Sequence, residues 1–403
     1  TEIYTLSLHD ALPISINTMP SNPRNSADIR FDGRDRFGVT RPVAVTRFGW
    51  DVAPATLLAG SIEVFDISAH GTRFVVPVGT NVITESSAYE LVLASIMPTR
   101  QSATVVVDYN NDGIPDLTTN VALGATLALT SNVLAGTVIT SSAPVQVSLI
   151  TGDIGSNYEC RWYNVPPVDT WSSRYFNPVS SVNSAQGRLD VILYNPNSNA
   201  ITVLRQYKTA VDDIFTTTNV IPGGSFAVVT NTEFNTAQYY FTTNNQAFYG
   251  IGQMDASGAG QISDWGFSLV PESFLTPIAF VGSAPGRDPF SSTSPNTNVS
   301  PIWVTVGSPK STTLYVDYNG NGGAFTNDCG EYDASFPISY LDSLRVYDPD
   351  GDQTAMKLFT CDGTLITAAW GQDPLIAPAA QPSLDMGYTV LPLPGIDAEK
   401  SVA

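Results

Sequence analysis

ATVVVDYNNDGIPDLTTNVALGATLALTSNVLAGTVITSSAPVQVSLITGD, residues 103–153, indicates an antiparallel β-fold more clearly than any other part of this chain. It opens with the β-branched run 104–107, which stops at the polar turn sequence of residues 108–113. Residues 138–147 predict a strand, a short turn at 141–144 and a second strand. Runs of Val, Ile and Thr that are interrupted by Asn, Asp, Gly and Pro are typical of half-buried strands.

Pieces of this stretch recur along the chain. TVVVDYNNDG at residues 104–113 matches TLYVDYNGNG at 313–322, with a degenerate copy at 202–207. The hairpin sequence at 139–147 has echoes at residues 39–45, 241–250 and 363–370. A strand closed by proline starts at four lead residues about one hundred residues apart: His70, Trp171, Trp265 and Met386.

Repetition at a fixed period predicts a repeat architecture. Turn signals recur every 8–12 residues or so, so that each period holds about eight strands. Such a period forms either one β-sandwich or two four-stranded propeller blades. Because the motifs follow one another without a Pro/Ser-rich linker, the sequence favours a closed, propeller-like ring of about six to eight blades. Tandem β-sandwiches are the alternative.

The chain divides into three parts. Residues 1–15, TEIYTLSLHDALPIS, resemble the translated read-through of a sequencing-library adapter, so we expect them to be disordered. Residues 16–394 form the β-repeat domain. Residues 395–403 read as a linker and the start of a truncated further module, and both ends of the chain look truncated.

Composition limits the possible functions. The net charge of −19 argues against nucleic-acid binding, which needs clustered Lys and Arg. No stretch is long and apolar enough to span a bilayer. The three cysteines lack the spacing of a zinc site. Cys329 and Cys361 form either a disulfide or two buried thiols, and Cys160 is left over.

One turn has the pattern of a calcium loop. Residues 108–116 read D-x-N-x-D-G-x-x-D, which places hard oxygen ligands at alternate positions around a Gly-assisted turn. The expected ligands are the side chains of Asp108, Asn110, Asp112 and Asp116 and the carbonyl of Ile114. An ordinary Asn/Asp/Gly turn is the alternative. A weaker copy of the site has three candidate ligands: Asp317, Asn319 and Asn321.

Catalytic motifs are missing from the sequence: there is no G-x-S-x-G, no H-E-x-x-H and no phosphate-binding loop. Outside residues 1–15 there is one histidine, His70, which stands where other repeats have Trp or Met and is expected to pack. The repeated Trp residues are expected to be core aromatics. The remaining enzyme hypothesis is a glycoside hydrolase that uses the carboxyl groups of Glu159 and Asp169.

The strand closed by proline, the T-V-x-V-D hairpin and the I-T-S-x-x-P-V-x-V hairpin resemble the repeats of the IgGFc-binding protein N-terminal domain family. Residues 368–374 and 384–392 also resemble the stretch that precedes stalk-like repeats in large bacterial surface proteins. The resemblance covers most of residues 16–394. It implies extracellular binding or adhesion, and it brings no catalytic residues to this chain. Immunoglobulin binding is not expected of a bacterial member.

The sequence therefore predicts a non-catalytic binding or adhesion module of a large bacterial surface protein, located outside the cell or on its surface. Its partner would be an extracellular protein or glycan, and calcium its possible cofactor. A structural spacer that presents other domains is the alternative function, and a glycoside hydrolase is the remote one.

Overall fold

The computed structural model describes residues 43–49, 60–152, 160–258, 263–287, 297–377 and 384–392, together with the backbone of Ile3–Leu6 and Arg36–Val39. The protein is all-β, with 49% of residues in strands and 3% in helices. The larger sheets are antiparallel throughout, which confirms the predicted fold class.

Four strands precede the repeated part: β1 Ile3–Leu6, β2 Arg36–Val39, β3 Thr46–Gly49 and β4 Gly60–Glu63. A 3-10 helix, η1 Ile67–Ala69, leads into unit 1, whose strands are β5 Gly71–Val75, β6 Leu91–Pro98, β7 Ala103–Asp108, β8 Leu117–Val121, β9 Leu127–Leu129, β10 Val138–Gly152 and β11 Cys160–Val165.

Unit 2 follows a second 3-10 helix, η2 Val168–Thr170, and contains β12 Arg174–Asn177, β13 Leu189–Tyr194, β14 Ile201–Lys208, β15 Ile214–Ile221, β16 Phe226–Asn231, β17 Gln238–Thr242, β18 Tyr249–Gln253, β19 Gly266–Ser268 and β20 Val270–Pro271. Unit 3 follows η3 Glu272–Phe274 and contains β21 Ile278–Phe280, β22 Ile302–Val306, β23 Thr312–Asp317, β24 Phe325–Asn327, β25 Gly330–Tyr332, β26 Ala334–Ile338, β27 Leu344–Val346, β28 Lys357–Thr360, β29 Ile366–Gly371 and β30 Gly387–Val390.

The three units share one strand order. In unit 2 the outer sheet runs β15-β14-β17-β12 and the inner sheet runs β16-β13-β18-β19. Unit 3 repeats this with β26-β23-β28-β21 and β27-β22-β29-β30, and its β24-β25 hairpin is an insertion between β23 and β26. Both sheets of unit 3 contribute buried side chains to one core. The repeat architecture expected from the sequence is therefore present.

The two sheets of a unit take alternating strands from the chain. A propeller blade is built from four consecutive strands, whereas consecutive strands here, such as β13 and β14, lie in different sheets. Each period therefore matches the tandem β-sandwich alternative. Strand pairing among the described residues does not show the closed ring that the sequence favours.

Strand β10 corrects one local prediction. Residues 141–144, expected to be a turn, lie inside a single strand of 15 residues. The register against β5 shifts between Thr140 and Val145, and the strand changes partners there, from β5 and β7 to β6 and β11. It thereby serves both sheets of unit 1 and joins them into one seven-stranded half-barrel. A register shift lets a strand bend without ending.

The last strands of the units meet at the centre of the molecule, where β4, β11, β19 and β30 contact one another. The amide of Asn164 donates to the carbonyl oxygen of Glu63 at 2.6 Å, and the Ser268 hydroxyl donates to the carbonyl oxygen of Asn164 at 2.9 Å. The Ser268 N–H donates to Oγ1 of Thr389 at 2.8 Å. The Leu391 N–H donates to Oε2 of Glu63 at 2.6 Å. These hydrogen bonds link the four strands in a cycle.

Tryptophans pack on paired glycines between the units. Gly371 lies opposite Gly387 in the β29-β30 ladder, and a Cβ added to either would come within 2.6 Å of the Trp265 indole. Trp162 packs in the same way on the pair formed by Gly49 and Gly60. The glycines are needed because a neighbouring unit's indole lies directly on the backbone.

The four lead residues of the proline-closed motif do not mark one repeated strand, which corrects the predicted repeat starts. His70 and Trp171 precede β5 and β12, the first strands of their units. Trp265 and Met386 precede β19 and β30, which are last strands. Both kinds of strand have a buried C-terminal end and a proline within the next three residues, so their sequences look alike although their places in the unit differ.

At the N-terminus, β1 pairs in parallel with β2 in a separate two-stranded sheet, so Ile3–Leu6 is paired where we expected disorder. The other residues of 1–15, and all of 395–403, lie outside the described residues.

Trp171, Trp265, Trp303 and Trp370 are buried, as predicted for core aromatics. Among the described residues, no helix has the length and apolar character needed to span a membrane.

Candidate functional site: an aromatic groove between units 2 and 3

The predicted calcium loop connects β7 and β8. The Asp108 carboxylate accepts the N–H groups of Asp112 at 3.2 Å and Gly113 at 2.8 Å. The Asp112 carboxylate accepts the Ile114 N–H at 2.8 Å, and Asp116 accepts the N–H of Tyr109 at 2.7 Å. The loop is thus held by its own backbone donors, as in an Asx turn.

The remaining loop atoms are open to solvent. Asn110 is exposed and donates to the Asp112 carboxylate at 3.0 Å. Ile114, whose carbonyl was expected to be a ligand, is 68% exposed. In the part of the chain that the structure describes, no three side chains of His, Cys, Asp and Glu gather as a metal site. Calcium binding here stays a prediction.

The copy of this loop in unit 3 uses a residue that the sequence comparison missed. Asp317 accepts the Gly322 N–H at 3.0 Å, and Asp333 accepts the Tyr318 N–H at 3.0 Å, the counterpart of the Asp116 contact in unit 1. Asn319 and Asn321 lie in the turn between these two carboxylates. The inserted β24-β25 hairpin separates Asp333 from the motif, so the short spacing that marks Asp116 is lost.

Of the two residues proposed for glycoside hydrolysis, the structure describes one, and it also describes His70. Asp169 is exposed on η2, and Glu159 lies outside the described residues. His70 is partly buried behind η1, and burial lowers its pKa to about 4. The neutral imidazole matches the expected packing role.

The cysteines fall into two environments. Cys329 and Cys361 form a disulfide that ties the β24-β25 hairpin to the end of β28. Cys160 is a free, buried thiol, and burial raises its pKa to about 12. A thiol in this state is a poor nucleophile at neutral pH.

Arg161 and Asp264 form a fully buried ion pair at the start of β11 and β19, with Nη2 and Oδ1 3.0 Å apart. The Arg161 guanidinium also donates to the carbonyl oxygen of Met254 at 2.9 Å, and Asp385 accepts the Asp264 N–H. These contacts join three units and mark the cluster as structural, since a buried ion pair needs such partners. The sequence gives no signal for it because the partners are far apart in the chain.

A groove of about 720 Å³ lies between units 2 and 3. Its floor is the outer face of the unit 2 outer sheet, formed by β12, β14 and β17. Its wall comes from unit 3, from the loop of residues 307–311 and from Ser339 and Tyr340. The volume lies in the range typical of ligand sites, about 300–1,000 Å³. We name this surface the groove.

A row of aromatic rings crosses the groove floor. Phe176 and Tyr239 stack with ring centroids 4.3 Å apart, and Tyr239 and Phe241 stack at 4.8 Å. Tyr340 of unit 3 meets Phe176 edge to face at 6.3 Å. The row is possible because β17 places Tyr239 and Phe241 on the outer face while Tyr240 fills the core.

Polar side chains flank this row on both sides. The Tyr340 hydroxyl donates to Oε1 of Gln206 at 2.7 Å. Burial, and then the charge of Glu272, raises the pKa of Tyr239 to about 12, and burial also raises that of Tyr340. Both phenols therefore keep their protons at neutral pH and can donate hydrogen bonds.

Each cation that lines the groove has an acidic partner. Arg174 lies 3.8 Å from Glu272, Lys208 lies 2.5 Å from Asp342, and Lys310 lies 3.2 Å from Asp362. The lining itself holds three cations and one carboxylate, Glu272, and the charges balance only when Asp342 and Asp362, which lie beside the groove, are included.

The corresponding face of unit 3 is already covered. The strand registers show that Phe359 of β28 is the counterpart in unit 3 of Phe241 of β17. The Phe359 ring stacks on Tyr315, with ring centroids 5.5 Å apart. Tyr332 of the β24-β25 hairpin lies on Tyr315 at 4.8 Å and closes this surface. In unit 1 the same position is Thr140, which has no ring. The open aromatic face thus belongs to unit 2.

Comparison with protein-family models, with curated proteins and with solved structures finds no match for this chain. The resemblance to the IgGFc-binding protein N-terminal domain family stays a prediction that rests on its short motifs.

Proposed function

We propose that this protein is a non-catalytic binding or adhesion module that works outside the cell or on the surface of a bacterial cell, and that the groove is its recognition surface. The observation that carries the proposal is the pair of half-buried rings, Tyr239 and Phe241, that face the groove beside polar side chains, with the buried ring of Phe176 stacked on Tyr239. Large exposed apolar surfaces rimmed by polar groups are typical of interaction sites.

Two further features support an extracellular location. Cys329 and Cys361 form a disulfide, and disulfides persist in oxidising compartments such as the cell exterior. The net charge of −19 suits an exported protein that stays dispersed at a crowded surface. The family resemblance implies the same location.

A structural spacer is the competing function, and the groove argues against it. A spacer needs packed units and polar faces, and it gains nothing from an open aromatic row. In unit 3 Tyr332 covers the equivalent face, so the open face of unit 2 is a difference between the units that a spacer does not require.

The test is to fill the groove. Ser311→Trp places a large side chain in the wall of the groove, and we expect it to abolish binding of purified protein to immobilised extracellular glycoproteins. Ser335→Trp is the matched control, because Ser335 is exposed on β26 outside the groove. Equal binding by both variants and the wild type would assign recognition to another surface. Absence of any binding by the wild type would favour the spacer.

A further inference from the structure

We infer that the groove binds a neutral glycan, meaning a chain of sugars without carboxylate or sulfate groups. This inference rests on the proposed function and names the ligand class of the same site. It follows from three properties of the groove: its backbone, its balance of charge and its mixture of apolar and polar side chains.

The floor strands that the structure describes use most of their backbone hydrogen-bonding groups in strand pairing, which leaves little for a peptide. A peptide that binds by strand addition pairs with an exposed sheet edge. The floor strands β12, β14 and β17 each have a strand paired on both sides. A ligand that lies across this face is therefore recognised through side chains alone.

The charge balance argues against an anionic ligand. Recognition of sulfate, phosphate or carboxylate uses Arg or Lys that is free to form a new ion pair. Arg174, Lys208 and Lys310 each already lie within 4 Å of a carboxylate. A ligand anion would have to displace these partners, whereas a hydroxyl group can bond to the pairs as they stand.

The side-chain chemistry fits a sugar. A pyranose has an apolar C–H face and a rim of hydroxyl groups that both donate and accept. The half-buried rings of Tyr239 and Phe241 supply an apolar strip, and Gln206 supplies an amide that donates as well as accepts. Aromatic rings with polar groups beside them are suited to sugar binding, because the ring packs on the C–H face and the polar groups bond to the hydroxyl groups.

The experiment measures binding to immobilised gastric mucin by interferometry, with the mucin untreated, treated with sialidase, or oxidised with periodate, which destroys sugar diols. We expect binding to survive sialidase treatment and to be lost after periodate. We also expect the affinity to change by less than about twofold between roughly 0.05 M and 0.5 M salt, since no ion pair with the ligand forms.

Two substitutions locate the site. Phe241→Ala removes one ring of the row and Gln206→Ala removes the amide, and each is expected to weaken binding about tenfold. Phe234→Ala is the matched control, because Phe234 is 50% exposed outside the groove. Melting temperatures of all variants confirm that each is folded.

The outcomes separate the two proposals. Binding that persists after periodate but is lost in Phe241→Ala would keep the groove as the recognition surface and overturn the glycan. Loss on sialidase treatment, or a steep salt dependence, would replace the neutral glycan with an anionic one. Sugar-dependent binding that Phe241→Ala and Gln206→Ala leave unchanged would overturn this assignment of the groove. Absence of binding to every form of mucin, and to a neutral glycan array, would overturn the neutral glycan, and the proposed function would fall with it only if the wild type also binds none of the immobilised extracellular glycoproteins.

Discussion

Glu63 is a carboxylic acid placed inside the β-core. Burial raises its pKa well above the usual value, although the Leu391 N–H that it accepts works in the opposite direction. Between the usual and the raised pKa, the folded protein holds a proton that the unfolded chain releases. Glu63 therefore contributes stability at low pH that is lost as the pH rises through this window.

We expect Glu63→Gln to be more stable than the wild type at neutral pH and to flatten the pH dependence of unfolding. Glutamine keeps an oxygen for the Leu391 N–H and cannot ionise. Urea unfolding between about pH 4 and pH 8 checks this. The explanation is wrong if the wild type and the variant lose stability in parallel as the pH rises.

The carboxylates of the 108–116 loop give a second residue-scale prediction. If the loop binds calcium, calcium raises the melting temperature of the wild type by mass action, and the double substitution Asp108→Ala, Asp112→Ala abolishes that rise. Loss of the Asp108 contacts to Asp112 and Gly113 lowers the melting temperature in either case. A wild type that melts equally in calcium and in chelator would show that the loop is a hydrogen-bonded turn only.

At the scale of single elements, the β24-β25 hairpin is an insertion that the disulfide holds against its unit. Cys329 and Cys361 are 32 residues apart in sequence, and closing a loop of this length stabilises a fold by about 2–4 kcal/mol. We expect Cys329→Ser with Cys361→Ser to lower the free energy of unfolding by this amount.

Reductant should lower the melting temperature of the wild type to that of the double variant and should leave the double variant unchanged. Cys160 is a free thiol and is present in both proteins, so it provides the internal control. The control is to show that reductant has freed the thiols of the wild type. If the melting temperature of the reduced wild type is then unchanged, the hairpin is held by packing alone.

Strand β17 shows how far one element can be predicted. Its sequence, QYYFT, has aromatic residues at successive positions, and alternation alone requires one of them to leave the core. This signal places Tyr239 and Phe241 on one face, but it does not decide which face is outward, because the polar residues Gln238 and Thr242 lie on the buried face with Tyr240. It could not have identified Tyr340, which reaches the same groove from unit 3.

At the scale of the whole molecule, the units are joined where an indole lies on glycine backbone. A Cβ on Gly387 would lie 2.2 Å from Cε3 of Trp265. We expect Gly387→Ala to reduce the free energy of unfolding by about 1–3 kcal/mol, because the packed ring has to move.

The double-mutant cycle with Trp265→Phe isolates this contact. The smaller ring makes room for the new methyl group, so the double variant should be less destabilised than the sum of its single changes. Additive effects would show that Gly387 is required for a reason other than the indole.

The sequence by itself determined the all-β class, the period of about one hundred residues and the positions of two local features. The T-V-x-V-D motif falls on β7 and β23, and the Pro-Val motif falls inside β10, where that strand changes partners. These features depend on alternation and turn chemistry, which act between residues close together in the chain.

The tertiary structure alone decided the pairing of strands into alternating sheets, the meeting of β4, β11, β19 and β30, and the groove. Strand pairing within a unit depends on contacts between residues tens of positions apart, such as Asp190 with Gln253. The meeting of the units and the groove depend on contacts over more than one hundred positions, such as Tyr340 with Gln206 and Trp265 with Gly387. Strands that end in proline look alike in any position of a unit, so the local sequence pattern does not reveal which position in the unit a given strand takes. Their partners are selected when distant surfaces fit together on folding.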